Sequence, residues 1–536
     1  MTDLTRRALN AGAAATALAL AMPSLASAQI PAKPNILFIV VDDLNDWASP
    51  WGGYPLVTDA RTPNIAWLAA RGCRFDRAYT TTPYCATSRT SFLYGLYPTT
   101  TGVYTKGEDW PKGSQIQSGQ KSLPWLLRDA GYYTAGIGKI FHTGWRNDDG
   151  DGKRAASQYP GAWDFFENCG RGACVAPKEP GEGAFGPGEG YGPAKTAKEL
   201  RPDTIRVNYA IANVINEPHG GKPWALFMGL QKPHLNWYPP AEFLAQFPIE
   251  DIVYPLGVMS EDARCGVTYE TSKDLRDEPK AGWKMSQQFK DSLGSKGKPG
   301  FMNDPACKAW KEAIQHYCAE IAYADYNIGL LRQALEASGQ LDDTIIVMLS
   351  DHGWQLGEKL AWRKFTLWER ATRLPLVIAG PGVTAGVCRT PVSVVDLVPT
   401  LMDLATGSVP ARAKIGRFAL DGVSRKDWLA SPETPRQNAV WSCWGLGLDE
   451  GGPLTGRDFL NFSVRSNTAR GIYYADGSSA LYRKGGPDDD EFEFHNLVPR
   501  GGKAALAELA ALRASARIPA SARWAPRAGG GSDDED

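Results

Sequence analysis

Asn35-Ile-Leu-Phe-Ile-Val-Val41 runs without a break into Asp42-Asp43. Near-continuous apolar and β-branched residues suit a strand covered on both faces, as in a parallel sheet; a half-exposed strand would alternate with polar residues. The same grammar recurs three times. Tyr133-Thr-Ala-Gly-Ile-Gly138 leads into Lys139-Ile-Phe-His142, Trp224-Ala-Leu-Phe-Met-Gly-Leu230 into Gln-Lys-Pro-His234, and Thr344-Ile-Ile-Val-Met-Leu349 into Ser350-Asp351-His352-Gly353. Helical stretches, Thr62–Arg71, Thr204–Asn216 and Glu312–Ala337, precede or separate these runs. The alternation predicts an α/β fold with a large, mostly parallel sheet flanked by helices. In open α/β sheets the site lies beyond the carboxyl ends of the strands, and all four polar clusters fall on that edge.

Away from these runs the grammar changes. From about Val440, short strands (Phe462–Arg465, Arg470–Tyr474, Ala480–Tyr482) alternate with turn residues such as Ala475-Asp-Gly477, and a helix is expected near Lys503–Arg517, before Pro519. This predicts a smaller C-terminal α+β domain with an antiparallel sheet. Arg6-Arg7, the small apolar run Ala11–Met22 and Ala26-Ser-Ala28 form an export signal over residues 1–28, its paired arginines favouring the twin-arginine route to the periplasm or beyond. The expected organisation is a signal at 1–28, a catalytic α/β domain at 29–440, an α+β subdomain at 441–527 and a flexible acidic tail at 528–536.

The chain has 536 residues and a net charge of −1, which removes the bulk electrostatic case for a nucleic-acid binder. At 43% hydrophobic and 22% charged it can pack a core, and no interior stretch is apolar enough for a membrane span. The nine cysteines are an odd number, so at least one is unpaired within a monomer. Cys169 and Cys174 are close enough in sequence to close a small loop. No cysteine spacing forms a zinc pattern.

Asp42-Asp43 and Asp351-His352 end two strands on one edge. Carboxylates converging without compensating bases repel, and a divalent cation is the natural remedy. Oxygen ligands point to Ca²⁺ first, or Mg²⁺, while the histidine leaves Mn²⁺ and Zn²⁺ open. Between the two pairs lies Tyr84-Cys85-Ala86-Thr87-Ser88-Arg89-Thr-Ser-Phe-Leu-Tyr-Gly95, whose helix-like composition puts Cys85 at a helix N-terminus. Its N–H groups and Arg89 favour an anion there. On local pattern alone, a buried structural cysteine before a helix fits somewhat better.

Cys85 through Gly95 resembles the sulfatase signature, in which Cys-x-Pro-x-Arg is followed by a glycine ten residues after the cysteine. Pro34–Leu44, Gly138–His142, Lys232-Pro-His234, Ser350–Glu358, Trp362-Arg-Lys364 and Arg470–Leu497 also look like sulfatase blocks, in the expected order; within the family, Lys139-x-x-His142, Lys232-Pro-His234 and Ser350–Glu358 most resemble the iduronate-2-sulfatase branch. The family belongs to the alkaline phosphatase superfamily. The resemblance implies a sulfuric ester hydrolase acting on a sulfated small molecule or glycan, with Cys85 oxidised to formylglycine by a maturation enzyme. It implies that Asp42, Asp43, Asp351 and His352 hold the cation, with residue 85 completing the shell. Arg89, Lys139 and Lys364 would neutralise charge on the aldehyde hydrate and the sulfuryl oxygens, His234 would protonate the leaving alcohol, and His142 would take a proton from the hydrate. Thr87 departs from the pattern, standing where the family has proline. The alternatives are a phosphate or phosphonate ester hydrolase of the same superfamily and a carbohydrate-binding protein with a dead site. His219, His316 and His495 are expected to pack or face solvent.

Overall fold

A computed structural model describes residues 33–104, 119–142, 161–167, 191–192, 194–263, 267–268, 271–287, 308–445, 460–516 and 518. The expected export signal, the expected acidic tail and the Cys169/Cys174 pair lie outside them.

The main sheet is built from β1 (Asn35–Val41), β2 (Cys73–Tyr79), β3 (Tyr133–Gly138), β4 (Phe165–Glu167), β5 (Trp224–Leu230) and β6 (Thr344–Ser350), with three further strands below. A two-residue hairpin follows β6, pairing β7 (Gln355–Leu356) with β8 (Trp362–Arg363). The main sheet then takes in β9 (Arg373–Ala379), β10 (Gly386–Cys388) and β11 (Val392–Ser393). Its order is β10-β2-β9-β6-β1-β5-β3-β4, with β11 extending beside β2. Every pairing is parallel except those of β9, which runs antiparallel to both β2 and β6. All four strands read from the sequence stand side by side at its centre.

Both faces of β1 are covered, as its composition requires. Leu37, Ile39 and Val41 pack in one apolar core with Ile65 and Leu68 of the helix Pro63–Arg71 and with the long helix Lys308–Ala337. Ile36, Phe38 and Val40 pack in the other with Phe92 and Leu93 of the helix Cys85–Tyr94 and with the helix Leu397–Thr406. The stretch expected as Thr204–Asn216 is the helix Pro202–Ala210 continued by a π-helical turn, Ile211–Ile215.

The small sheet is antiparallel, in the order β12 (Val440–Gly445), β13 (Leu460–Arg465), β14 (Ala469–Tyr473), β15 (Ser479–Arg483). Its apolar face buries Phe462, Val464 and Leu481 against Leu509 and Leu512 of the helix Val498–Ser515, forming a separate core. No helix among the described residues is long and apolar enough to cross a membrane.

Candidate active site

Register brings the strand ends together. Val41 stands opposite Leu230 on one side and Ser350 on the other, and Gly138 stands opposite Gly229. The residues that follow these positions therefore leave the sheet at one level. Gly138 and Gly229 make the close approach possible: a Cβ on Gly138 would meet the Gly229 carbonyl at 2.2 Å, and one on Gly229 would meet the Lys139 carbonyl at 2.2 Å. Asp43 has φ 63°, which breaks the alternation of the strand and lets both neighbouring carboxylates face the same centre. The hydroxyl of Tyr317, on the long helix, donates to the Asp43 carbonyl at 2.7 Å and accepts the Asn45 N–H at 3.0 Å, bracing that turn.

Cys85 is the first residue of its helix, as the composition suggested, and no side chain caps that end. Its Sγ lies 2.8 Å from Lys364 Nζ, 3.3 Å from His352 Nε2 and 4.0 Å from Asp43 Oδ1. Arg89 is one turn further along. It pairs with Asp42 at 2.9 Å and Asp351 at 3.0 Å, and donates to the Ile140 carbonyl at 3.1 Å. Lys139 Nζ reaches Asp42 at 2.5 Å, and Lys364 Nζ reaches Asp43 at 2.6 Å. His234 Nε2 is 3.7 Å from Asp43 Oδ2. The other ring nitrogens of His234 and His352 face backbone carbonyls, Leu235 at 2.7 Å and Gly353 at 2.9 Å, so each Nε2 points inward. His142 sits half-buried at the rim, its ring 5.8 Å from that of Tyr84.

The three carboxylates are thus not bare, as the strand-end argument expected: Arg89, Lys139 and Lys364 lie against them. Burial would raise the Asp42 carboxyl, but Lys139 and Arg89 hold it well below the usual range. Burial pushes Asp43 up to about 7 against the pull of Lys364, with Asp42 and Asp351 adding to the rise. Burial and Asp42 raise Asp351, and burial pushes the Cys85 thiol up. Burial also holds His142, His234 and His352 well below the usual imidazole value, reinforced by Lys139 at the first two and Lys364 at the third.

A cation fits this donor set. Asp43 Oδ2 is buried with no hydrogen-bond partner. Ligand atoms of Asp42, Asp43 and Asp351 lie within 4.8 Å of one another, as do those of Asp43, Cys85 and His352 and those of Asp42, Cys85 and His234. Asp43 and Asp351, whose carboxyls burial raises, lie beside an inward imidazole nitrogen and an ionised Asp42, a set that suits a hard or borderline divalent ion.

Residues 34–408 match the Sulfatase family model. The chain belongs to the sulfatase family. It is therefore a sulfuric ester hydrolase of the alkaline phosphatase superfamily. This sulfatase is 30% identical over 462 residues to a sulfatase of Formosa agariphila, covering 84% of this chain and 80% of that protein. It is 29% identical to the iduronate 2-sulfatase of Mus musculus, over 72% of this chain and 71% of that one. In fold it is similar to the phosphonate monoester hydrolase SpPMH from Silicibacter pomeroyi, with TM-score 0.66 and 22% identity over 90% of this chain and 94% of that one. It is also similar in fold to BT4656, solved in complex with D-glucosamine-2-N,6-O-disulfate, with TM-score 0.62 and 22% identity over 90% and 98% of the two chains.

Several supporting residues escaped the sequence reading. The Ser88 hydroxyl donates to the Asp351 carbonyl. Asp203 accepts the N–H groups of Gln231 and Lys232 at 2.9 Å, and Lys232 Nζ donates to the His234 carbonyl at 3.2 Å. Lys232 was visible beside His234, but Tyr317 and Asp203 come from distant helices and leave no local signal. Outside the site, His219 stacks on Tyr133, His316 bonds the Glu312 carbonyl, and His495 is exposed. Cys73, Cys318, Cys388 and Cys443 are buried free thiols.

Proposed function

We propose that this sulfatase is exported and hydrolyses the sulfate ester of a sulfated sugar, using formylglycine derived from Cys85 and one divalent cation, Ca²⁺ in the first instance. The observation that carries the reading is the setting of Cys85 Sγ, at 2.8 Å from Lys364 Nζ and 3.3 Å from His352 Nε2, beside a buried carboxylate cluster. A thiol whose pKa burial raises is a poor nucleophile there. The iduronate 2-sulfatase relative is named for a sulfated sugar acid, which supports the substrate class.

Asp42, Asp43, Asp351 and His352 are the residues that would hold the cation, with residue 85 beside them. Hydrated formylglycine at 85 supplies a nucleophilic hydroxyl and a second hydroxyl whose loss of a proton releases sulfate, while the cation supplies Lewis-acid polarisation. The chain's own residues do the rest. Lys139 and Lys364 neutralise the sulfuryl oxygens, and Arg89 fixes Asp42 and Asp351 while adding positive charge at the helix start. His234 holds its Nε2 inward by the bond from Nδ1 to Leu235, so that nitrogen is the one to protonate the leaving oxygen. Burial, reinforced by Lys139, holds His234 neutral; a bound anionic ester would offset the lysine charge and let Nε2 take up a proton from solvent. His142, at the rim, takes the proton from residue 85.

We assign the catalytic unit to residues 29–440 and the α+β subdomain to 441–527, with 1–28 the twin-arginine signal and a formylglycine-generating enzyme as partner before export. The phosphonate hydrolase fold neighbour motivates a second reading, a phosphonate ester hydrolase with the same lysines and histidines. The test is the mass of the Cys85 peptide from the active enzyme, with kcat/KM measured on sulfate and phosphonate esters in parallel. Formylglycine with preference for sulfate supports the proposal. Full activity with an unmodified thiol, or preference for phosphonate, overturns it.

A further inference from the structure

Lys364 is carried to Cys85 by the segment 355–370, on a backbone that a free loop would not choose. Lys359, Leu360, Arg363 and Phe365 have φ of 56°, 51°, 72° and 79°. Both neighbours of Lys364 are among them. Side chains other than glycine's disfavour this left-handed region, and a run of such residues persists only where its surroundings hold it.

The hold comes from the small C-terminal sheet. Arg470, in β14, donates from Nη1 to the Leu367 carbonyl at 3.1 Å. It pairs through Nη2 with Glu369 at 2.5 Å and through Nε with Glu493 at 2.7 Å. The Glu493 carboxylate accepts the Glu369 N–H at 2.8 Å, and the Glu493 carbonyl accepts from Lys359 Nζ. The segment is thus tied on both sides of Lys364, at 359 and at 367–369, to two residues from the C-terminal part of the chain. All of these groups are buried. Breaking one pair there strands a desolvated charge, unlike the loss of a surface ion pair.

The geometry points to Arg470 as a positioning residue: a guanidinium fork from the C-terminal subdomain that keeps segment 355–370 in the strained form in which Lys364 Nζ rests on position 85. Lysine at 470 would keep the charge but cannot span three acceptors with one nitrogen. The catalytic part of this inference rests on the reading of Lys364 as a sulfuryl-binding cation; the clasp itself does not.

The experiment compares the full-length parent with Arg470→Lys, and with Glu493→Gln should the first fail to fold, each in the parent and in a Lys364→Ala background. Backbone hydrogen exchange over 357–367 is read alongside kcat/KM on a sulfate ester. Exchange should quicken in that segment, and kcat/KM should fall roughly tenfold in the parent background and not further in Lys364→Ala, because the two changes remove the same contact. Unchanged exchange overturns the clasp. Quickened exchange with undiminished kcat/KM, or with the same factor lost in both backgrounds, overturns its link to Lys364. A Lys364→Ala enzyme as fast as the parent would remove the sulfuryl-binding role of Lys364, a failure separable from the clasp because exchange reads the segment directly.

Discussion

Lys364 Nζ lies 2.8 Å from Cys85 Sγ across 279 residues of sequence. Neither residue belongs to the strand ends that build the rest of the site. One opens a helix after β2, and the other sits on an irregular segment after β8. Their meeting point, beside Asp43, is where nucleophile, cation and sulfuryl group are expected to converge.

Removing either lysine should cost turnover without unfolding the chain. Lys139→Ala and Lys364→Ala are each expected to lower kcat/KM on a sulfate ester by about 10²–10³, the scale for losing one preorganised charge in an enclosed site. Circular dichroism should be unchanged. Parent-like rates in both variants would reject the assignment.

Dialysed protein should carry one divalent ion per chain, seen by elemental analysis. Adding Ca²⁺ to chelator-stripped enzyme should restore activity and raise the melting temperature, by about 2.7 kcal/mol of stability at a hundredfold excess over Kd. Asp43→Asn should abolish that shift. Full activity in chelator would count against the cation.

Thr87→Pro should be silent or beneficial. The Thr87 hydroxyl is buried without a partner, a loss of about 1–3 kcal/mol that proline removes. Thr87 is the third residue of its helix, where the N–H has no acceptor in the helix, and the Pro83 carbonyl one turn back accepts Phe365 N–H instead. The variant should match or exceed the parent in melting temperature and in the converted fraction of Cys85 by mass spectrometry. A clear loss of either would contradict this account.

Gly138→Ala should damage fold and site together. Its Cβ would meet the Gly229 carbonyl at 2.2 Å, and its φ of 77° disfavours any side chain. A destabilisation of about 1–3 kcal/mol or more is expected in urea unfolding, with activity falling because Lys139 follows directly. An unchanged midpoint would show that the strand ends have slack.

Asp325 gives a pH signature remote from the site. It accepts Asn64 N–H at 3.0 Å and Ile65 N–H at 2.7 Å at the start of the helix Pro63–Arg71, and burial pushes its carboxyl up to about 6. The folded value lies above the unfolded one, so the native state binds the proton more tightly. Its contribution is complete below about pH 4 and is lost as pH rises through 6. Against Asp325→Asn, which does not titrate, the parent should lose about 2–3 kcal/mol of relative stability between pH 4 and pH 7 in urea titrations. A parent that gains on the variant as pH rises would reverse the sign.

The central strands and the place where most candidate site residues gather were legible because strands buried on both faces announce themselves, and the polar residues that follow them leave the sheet on one edge. β9 was not, although it lies between β2 and β6. Pro375 breaks its pattern, and only the structure shows how it is tolerated: pairing with β6 stops at Leu376, and β2 bulges between Phe75 and Ala78 opposite the proline. The neutralisation of Asp42, Asp43 and Asp351 by Arg89, Lys139 and Lys364 was likewise hidden, since each base comes from a different element. Arg470 reads in sequence as one more residue of an alternating strand.

Cys85 is 2% exposed, and nine of the ten residues of its helix are buried. No second protein can grip that stretch once the sheet and helices have closed over it. On the proposed conversion to formylglycine, the enzyme that oxidises Cys85 would have to meet the chain while residues 80–95 are still extended, before folding and, on the proposed folded-cargo export route, before the membrane is crossed. Each molecule then keeps a permanent record of that encounter: a chain that folds first with its thiol intact is sealed in that form for its lifetime, and a preparation is a fixed mixture of the two.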